Sequence, residues 1–508
     1  MQLTKQNIAN IKPVSGLTIP AQSLFELPEK VLQFGTGVLL RGLPDYFIDK
    51  ANRQGIFNGR VVVVKSTNHG GTDAFTEQDG LYTLCVKGIV DDRQIDENII
   101  NTSISRVLSA KENWKAILAC AHQPEMQIVI SNTTEVGITY VEETIGDTAP
   151  ISFPGKLLAF LLERYTFFNG REESGMVIVP TELITDNGTK LKQIIIDLSQ
   201  FNQLTEGFMH WLTTANQFCN SLVDRIVPGK LPAKEEKYLQ TQLGYTDDLM
   251  IMAEPFRLWA IESDNHRVQQ ILSFSQVDEG VVIAPSIEKF KELKLRLLNG
   301  THTFSCGLAN LAGFGTVKMA MTNKYMSQFV AQLALSEIAP AVCNEDITYD
   351  EATTFANSVF DRFRNPYIEH QWKSIAVQFS LKMKMRNVPL IVRHYQHHHH
   401  VPELMALGFA AFLLFMKTTK NSDGEYEGRY NGTLYTIQDE NAAWFAEQWQ
   451  ANTEHTIAKV VTADIDFWGA DLSILPGFVH AVTNNIFSLI ENGVVETINK
   501  LQLNKQIA

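Results

Sequence analysis

The chain has 508 residues, too many for one hydrophobic core, so two or three domains are expected. It is 45% hydrophobic and 19% charged, an ordinary composition for a water-facing globular protein; a net charge of -13 with no basic run argues against a nucleic-acid partner. Five scattered cysteines without CxxC spacing (Cys85, Cys120, Cys219, Cys306, Cys343) fit a reduced, cytoplasmic protein; nothing in the sequence chooses between a monomer and a small homo-oligomer.

Residues 1–30 contain Pro13, Pro20 and Pro28 and read as an irregular lead-in without the charged-then-apolar layout of a signal peptide. Val31–Phe34 is then a short apolar strand entering Gly35-Thr36-Gly37, followed by a helix-like segment from Val38 to Leu43. Strand, glycine turn and helix start form the context of a dinucleotide site, in which backbone N–H groups and a helix N-terminus meet a pyrophosphate. An ordinary tight turn is the other reading, because Leu40 stands where the usual fingerprint has a third glycine. Arg60–Lys65 is a buried-type strand. It ends in Lys65-Ser66-Thr67-Asn68, not in the acid that normally holds a ribose 2′-OH, so these residues do not decide between NAD and NADP. Further strands are expected at Leu81–Val90, Gln127–Ser131 and Met176–Pro180, with helices over 110–121 and 156–168. That alternation predicts an α/β sheet.

Strand ends in such sheets face ligands, which makes Asn132 and Glu135 cofactor- or substrate-side candidates, with a capped turn as the alternative. Asp186-Asn187-Gly188 reads locally as a turn. Residues 216–226 carry polar groups at helical spacing and suggest a buried pair of Asp224 with Arg225.

A helix start is expected at Pro285-Ser286. At α-helical spacing Ile287, Phe290, Leu293, Leu297 and Leu298 share one side, with Glu288, Glu292 and Arg296 opposite. Lys294 falls among the apolar positions, where desolvation would favour its neutral form and suit it to proton transfer. Asn299 and His302 lie within about 140° of it around the same axis. A core-edge lysine snorkelling to water is the competing reading. Beyond this point amphipathic helices are expected over 317–338, 347–363, 367–386, 402–417, 439–451 and 475–500. The apolar run Met405–Met416 is too short to span a bilayer and reads as a core helix. The domains are therefore placed at 1–285 and 286–508. His394 and His397–His400 precede Pro402 and read as a polar loop; no His/Cys/carboxylate set has zinc-ligand spacing, so no metal is expected.

Lys294-x-Arg296-x-Leu298-Asn299-x-x-His302 resembles the signature of the mannitol dehydrogenase family, the polyol-specific long-chain dehydrogenases/reductases. Leu32–Leu43 resembles its FGxGxxxR loop, Ser131–Glu135 its S-x-T-x-E turn, and Ser221–Ile226 its S-x-V-D-R-I segment. Thr181-Glu182-Leu183-Ile184, where mannitol enzymes carry C-D-N, and the segment from Arg362 to Ile368 are similar to its uronate branch. The resemblance implies a Rossmann-like N-terminal domain and a mostly α-helical C-terminal domain, with the substrate in a cleft facing the sheet. It implies NAD as cofactor and interconversion of D-tagaturonate and D-altronate in hexuronate catabolism. By carry-over, Leu32, Gln33, Phe34, Gly35, Thr36, Gly37, Val38, Leu39, Leu40 and Arg41 meet the cofactor, with Asn132 and Glu135. Lys294 is the acid/base, Asn299 and Asn187 polarise the reacting oxygen, and His302 contacts substrate. Asp224 and Arg362 lie near substrate, and Arg364 and His370 are the candidates for its carboxylate. A fructuronate reductase, a mannitol-type dehydrogenase and a catalytically silent NAD-binding regulator are the alternatives.

Overall fold

The computed structural model describes residues 1–65, 73–133 and 137–507, with side chains through 501. Two compact units divide the chain: Met1–Gly88 with Gln94–Ile287, and Ile89–Arg93 with Glu288–Ala508. Residues 89–93 thus leave the domain in which the sequence places them. They form the turn between strands Tyr82–Val90 and Arg93–Asn101, and polar contacts account for the change: the Asp91 N–H donates to Asp361 at 2.8 Å, and Asp92 pairs with Arg364 at 2.7 Å.

The first unit is built on six strands: β1 (Glu29–Phe34), β2 (Arg60–Lys65), β3 (Ile104–Ser109), β4 (Ile128–Ser131), β5 (Val177–Pro180) and β6 (Gln217–Phe218). Their order is β3-β2-β1-β4-β5-β6, and every neighbouring pair is parallel. This is the doubly wound order of dinucleotide-binding sheets. Both faces are covered, which is why the strands read as unbroken apolar runs. Successive side chains alternate between two cores. Val31, Val61, Val63, Ile128 and Val177 enter one with Phe47 and Ile48 of helix Pro44–Arg53; Leu32, Val62, Val64, Val129 and Ile178 enter the other with Leu157 and Leu191 of helices Phe153–Phe167 and Asn187–Phe201.

Residues 216–226 are not helical. After β6 the strand Ser221–Asp224 runs antiparallel to Leu258–Glu262. Asn220 explains the departure, because its amide bonds outward, donating to Glu262 at 2.9 Å and accepting from the Thr189 N–H at 2.9 Å. Short polar side chains that bind neighbouring groups in this way compete with helix formation.

The second unit is helical apart from a small antiparallel sheet of Thr418–Lys420, Tyr426–Tyr430 and Thr433–Ile437, which the sequence reading missed. Its core helix, Glu403–Phe415, is buried from Leu404 onward. Helix Thr301–Leu311 packs closely on it: a Cβ on Gly307 would lie 2.7 Å from the backbone of Ala411, and one on Gly408 2.8 Å from that of Phe304. The buried Glu337 carboxylate accepts from the Leu404 and Met405 N–H groups at 2.9 and 2.8 Å, satisfying donors that an apolar helix start leaves open. Among the described residues no helix is long and apolar enough to cross a membrane, and no group of three or more His, Cys, Asp or Glu residues could hold a metal ion. His397 ends helix Val388–His397, and the rings of His394, His398 and His400 pack together beyond it.

Candidate active site

β1 ends at Phe34 and the chain turns at Gly35 with φ of +129°. A Cβ there would sit 2.8 Å from the Asn132 carbonyl oxygen and 2.9 Å from Leu40 Cδ1, so only glycine fits. The Asn132 N–H donates to the Phe34 carbonyl at 3.1 Å, drawing the end of β4 against the loop where the strand order reverses. Open α/β sheets bind ligands at that point. Gly37 has an ordinary φ of -64°, and among the described residues a Cβ on it would meet nothing within 4 Å beyond its chain neighbours. Its bare backbone faces open space ahead of helix Val38–Gly42, as a group approaching the chain requires.

The expected contact set is wider than the structure allows for side chains. Leu32, Gln33, Phe34, Leu40 and Arg41 are buried, leaving Gly35, Thr36, Gly37, Val38 and Leu39 accessible. Arg41 turns inward, donating to the Leu249 carbonyl at 2.6 Å beside the rings of Phe75 and Tyr82. It anchors the loop.

Glu182 fixes the neighbouring turn. Its buried carboxylate accepts from Ser131 Oγ (3.0 Å), the Thr133 N–H (2.9 Å) and Thr133 Oγ1 (3.0 Å), while Asn132 Nδ2 donates to the Thr181 carbonyl and hydroxyl at 3.0 and 3.1 Å. The two motifs that the sequence sets fifty residues apart form one hydrogen-bonded unit. Glu135 lies outside the described residues. Asn187 is buried, with Nδ2 facing the Pro180, Glu182 and Ser221 carbonyls at 3.0–3.2 Å and Oδ1 accepting from the Gly188 and Ser221 N–H groups at 2.9 Å. An amide has two hydrogens, and here both serve the backbone. In this arrangement Asn187 is a positioning residue and not a free donor to substrate. Asp224 is buried at the end of strand Ser221–Asp224.

In the second unit the expected α-helix begins at Glu288 and changes character at Lys294. Glu288–Leu293 is α-helical, Lys294–Gly300 is a π-helix, and Thr301–Leu311 returns to α. Such wide turns recur at functional sites. Leu293, Leu297 and Leu298 are buried as the α spacing predicts, but Arg296 is also buried and not on the solvent side. It donates to the Met385 and Arg386 carbonyls, both at 2.7 Å, and pairs with Glu292 at 3.0 Å. Burial raises the Glu292 carboxyl, yet hydrogen bonds and charge from Arg296 and Arg393 outweigh it and hold its pKa below the usual value. Lys294 is half-buried beside these leucines. The Asn299 carbonyl accepts from Thr303 Oγ1 at 2.8 Å, while its side-chain amide, half-buried, makes no hydrogen bond among the described residues.

His302 is buried, stacked on Phe363 at 4.0 Å, with the rings of His370 at 5.0 Å and Trp372 at 5.9 Å edge-on. Its Nε2 has no hydrogen-bond partner among the described residues. Burial, then the charges of His370, Arg362, Arg386 and Lys382, push its pKa well below 6.5; burial, Arg362 and Lys382 lower that of His370. Both imidazoles therefore stay neutral near neutral pH. As pH falls below the unfolded value of about 6.5, the unfolded chain binds protons that the folded chain refuses, so stability falls toward acid. His302→Phe keeps the stack and removes one such group. Urea unfolding should show a shallower loss of stability between about pH 7 and pH 5, by up to ~1.4 kcal/mol per pH unit. An unchanged slope would mean that His302 titrates normally.

Arg362 is buried at the end of helix Tyr349–Arg364. Arg364 is already paired with Asp92 at 2.7 Å and Asp361 at 2.8 Å, which makes it a poor holder of a substrate carboxylate. The sequence reading missed Lys382 and Arg386, two cations that bear electrostatically on His302. In Leu381-Lys382-Met383-Lys384-Met385-Arg386 the charges alternate with apolar residues, a pattern that does not distinguish them from surface charges.

Family models for the mannitol dehydrogenase Rossmann domain and the mannitol dehydrogenase C-terminal domain match residues 29–272 and 286–490. The chain belongs to the mannitol dehydrogenase family. Within it, the chain is 36% identical over 484 residues to the altronate oxidoreductase of Halalkalibacterium halodurans, covering 93% of each chain. It is 35% identical over 486 residues to that of Shigella flexneri, covering 94% of this chain and 97% of the relative. Two solved structures share the family fold. Mannitol 2-dehydrogenase of Pseudomonas fluorescens, in ternary complex with NAD and D-mannitol, matches with TM-score 0.67 at 23% identity, covering 99% of both chains. A substrate-free D-sorbitol dehydrogenase matches with TM-score 0.74 at 19% identity, covering 98% of this chain and 100% of the other.

Proposed function

We propose that the protein is an NAD-dependent oxidoreductase that interconverts D-tagaturonate and D-altronate. The observation that carries this reading is the full-length similarity to altronate oxidoreductases, with Lys294, Asn299 and His302 all in place on one helix. A catalytically silent NAD-binding protein has no use for a half-buried lysine next to an unengaged amide.

The residues fit a dinucleotide. Gly35 and Gly37 offer bare backbone at the switch point, the Gly37 position opens onto free space, and Thr36, Val38 and Leu39 remain accessible. NAD is favoured over NADP by the family's structure with NAD; Lys65 alone does not decide it. Bound there, the nicotinamide would supply or accept the hydride. The protein's own work is orientation and proton transfer. Lys294 Nζ gives a proton to the oxygen of the ketone as it becomes an alcohol and takes it back in the reverse direction. Asn299 Nδ2 donates to the same oxygen, stabilising negative charge as it develops. His302, neutral and held by its stack on Phe363, presents Nε2 to a substrate hydroxyl.

NADH oxidation followed by absorbance against D-tagaturonate, D-fructuronate and D-fructose tests the reading. Turnover of tagaturonate should far exceed that of fructose. A preference for fructuronate would move the assignment to the mannonate-forming enzyme, and equal or better turnover of fructose would overturn the uronate assignment.

A further inference from the structure

A second π-helical segment, Met383–Asn387, packs on the one that carries Lys294. Arg296 binds two of its carbonyls, and Asn387 Nδ2 donates to the Gly300 carbonyl at 3.3 Å. Arg386 belongs to this segment, and its guanidinium reaches Thr303 Oγ1, the residue after His302, at 3.4 Å. Lys382 stands four residues before it and donates to the Ile375 carbonyl at 2.9 Å.

These two cations are placed differently from their neighbours. Arg296, Arg364 and Arg393 each pair with a carboxylate. Among the described residues Arg386 and Lys382 form no ion pair. Asp439, a carboxylate that Lys382 senses, is engaged by the N–H and Oγ of Ser380 at 2.7 and 2.6 Å. Both groups are partly desolvated, and together with Arg362 they add positive potential to the buried His302 and its half-buried neighbour His370. Holding Arg386 and Lys382 partly out of water with no ion pair among the described residues costs stability, and cations held in this way mark a candidate site for an anion. The setting is local, in a chain whose net charge is -13.

We propose that Arg386 and Lys382 form the subsite that binds the carboxylate of the hexuronate, and so select an acid over its neutral ketose. The inference rests on the uronate reading above. In tagaturonate the ketone lies next to a terminal hydroxymethyl group and the carboxylate ends the opposite side of the chain. Asn299 would meet the ketone end, and Arg386, beside Thr303 about one turn further along the same helix, the acid end.

D-Tagaturonate and D-tagatose differ only in carboxylate against hydroxymethyl, so the ratio of kcat/KM for the two reads the subsite directly. Arg386→Gln should lose about 10- to 100-fold on tagaturonate, the scale of a charge-assisted hydrogen bond, chiefly through KM. Tagatose turnover and NADH affinity should change no more than a fewfold. Lys382→Met should act in the same sense, and Arg386→Lys should keep more of the preference than Arg386→Gln. Equal losses on both sugars would show that Arg386 merely braces the Thr303 helix, and unchanged ratios would remove both residues from recognition; either overturns the subsite while leaving the uronate reading intact. A wild type that turns over tagatose as well as either uronate overturns that reading and this inference with it.

Discussion

Lys294→Met should fold and bind NADH normally yet lose about 10²-fold or more in kcat, the usual scale for a missing acid–base group. The substitution keeps length and suits the surroundings, since Leu293, Leu297 and Leu298 are buried beside it. The two directions should respond oppositely to pH in the wild type. Reduction consumes a proton and needs the ammonium form, so it weakens as pH rises; oxidation needs the neutral amine and strengthens. The measurement is a pair of kcat/KM profiles, one for each direction, for wild type and variant. A variant within a few-fold of wild type, with the same profile, would leave Lys294 a helix lysine that snorkels to water and would place the proton donor elsewhere.

Gly37→Val tests the other end of the reaction. Apart from its chain neighbours, no atom of the described residues lies within 4 Å of the position its Cβ would take, and its φ of -64° suits any residue, so the chain should fold as before. The branched side chain would stand where backbone N–H groups and pyrophosphate meet. NADH affinity and kcat/KM should fall by about 10²-fold, the scale that a misplacement of about 1 Å carries. Fluorescence titration with NADH, alongside thermal unfolding, separates this from misfolding; undiminished binding would make the loop an ordinary turn. Gly35 is no substitute for this test, because a Cβ there strikes Asn132 and would disturb the sheet itself.

The parallel sheet was legible because buried strands leave unbroken apolar runs, and Val61–Val64 feeding two cores in alternation is what such a run means physically. β3 and β6 left weaker traces: Ile104–Ser109 mixes charge with apolar residues, and Gln217–Phe218 is too short to show a period. In the site, Lys294, Asn299 and His302 were visible as a spacing, whereas the π geometry was not, because a wide turn uses the same residue types as an α-helix. Asn187 shows the opposite limit. Its position was readable from a motif, but its saturation by five backbone groups depends on Pro180, Glu182 and Ser221, which only the fold brings around it. Arg386 and Lys382 escaped notice for the same reason, since a missing counter-ion is a property of space and not of sequence.

The π segment at Lys294–Gly300 also exposes this stretch to a loss that residue types would not reveal. A π turn amounts to one residue inserted into an α-helix. Deleting one residue there would let the helix close into ordinary α form, and the helix beyond would keep roughly its phase, because the wide turn already absorbs the extra residue. Lys294, Asn299 and His302 would all survive while the wide turn disappeared. A descendant matched by residue type alone would look intact, and only the count of residues between Lys294 and His302 would record the change.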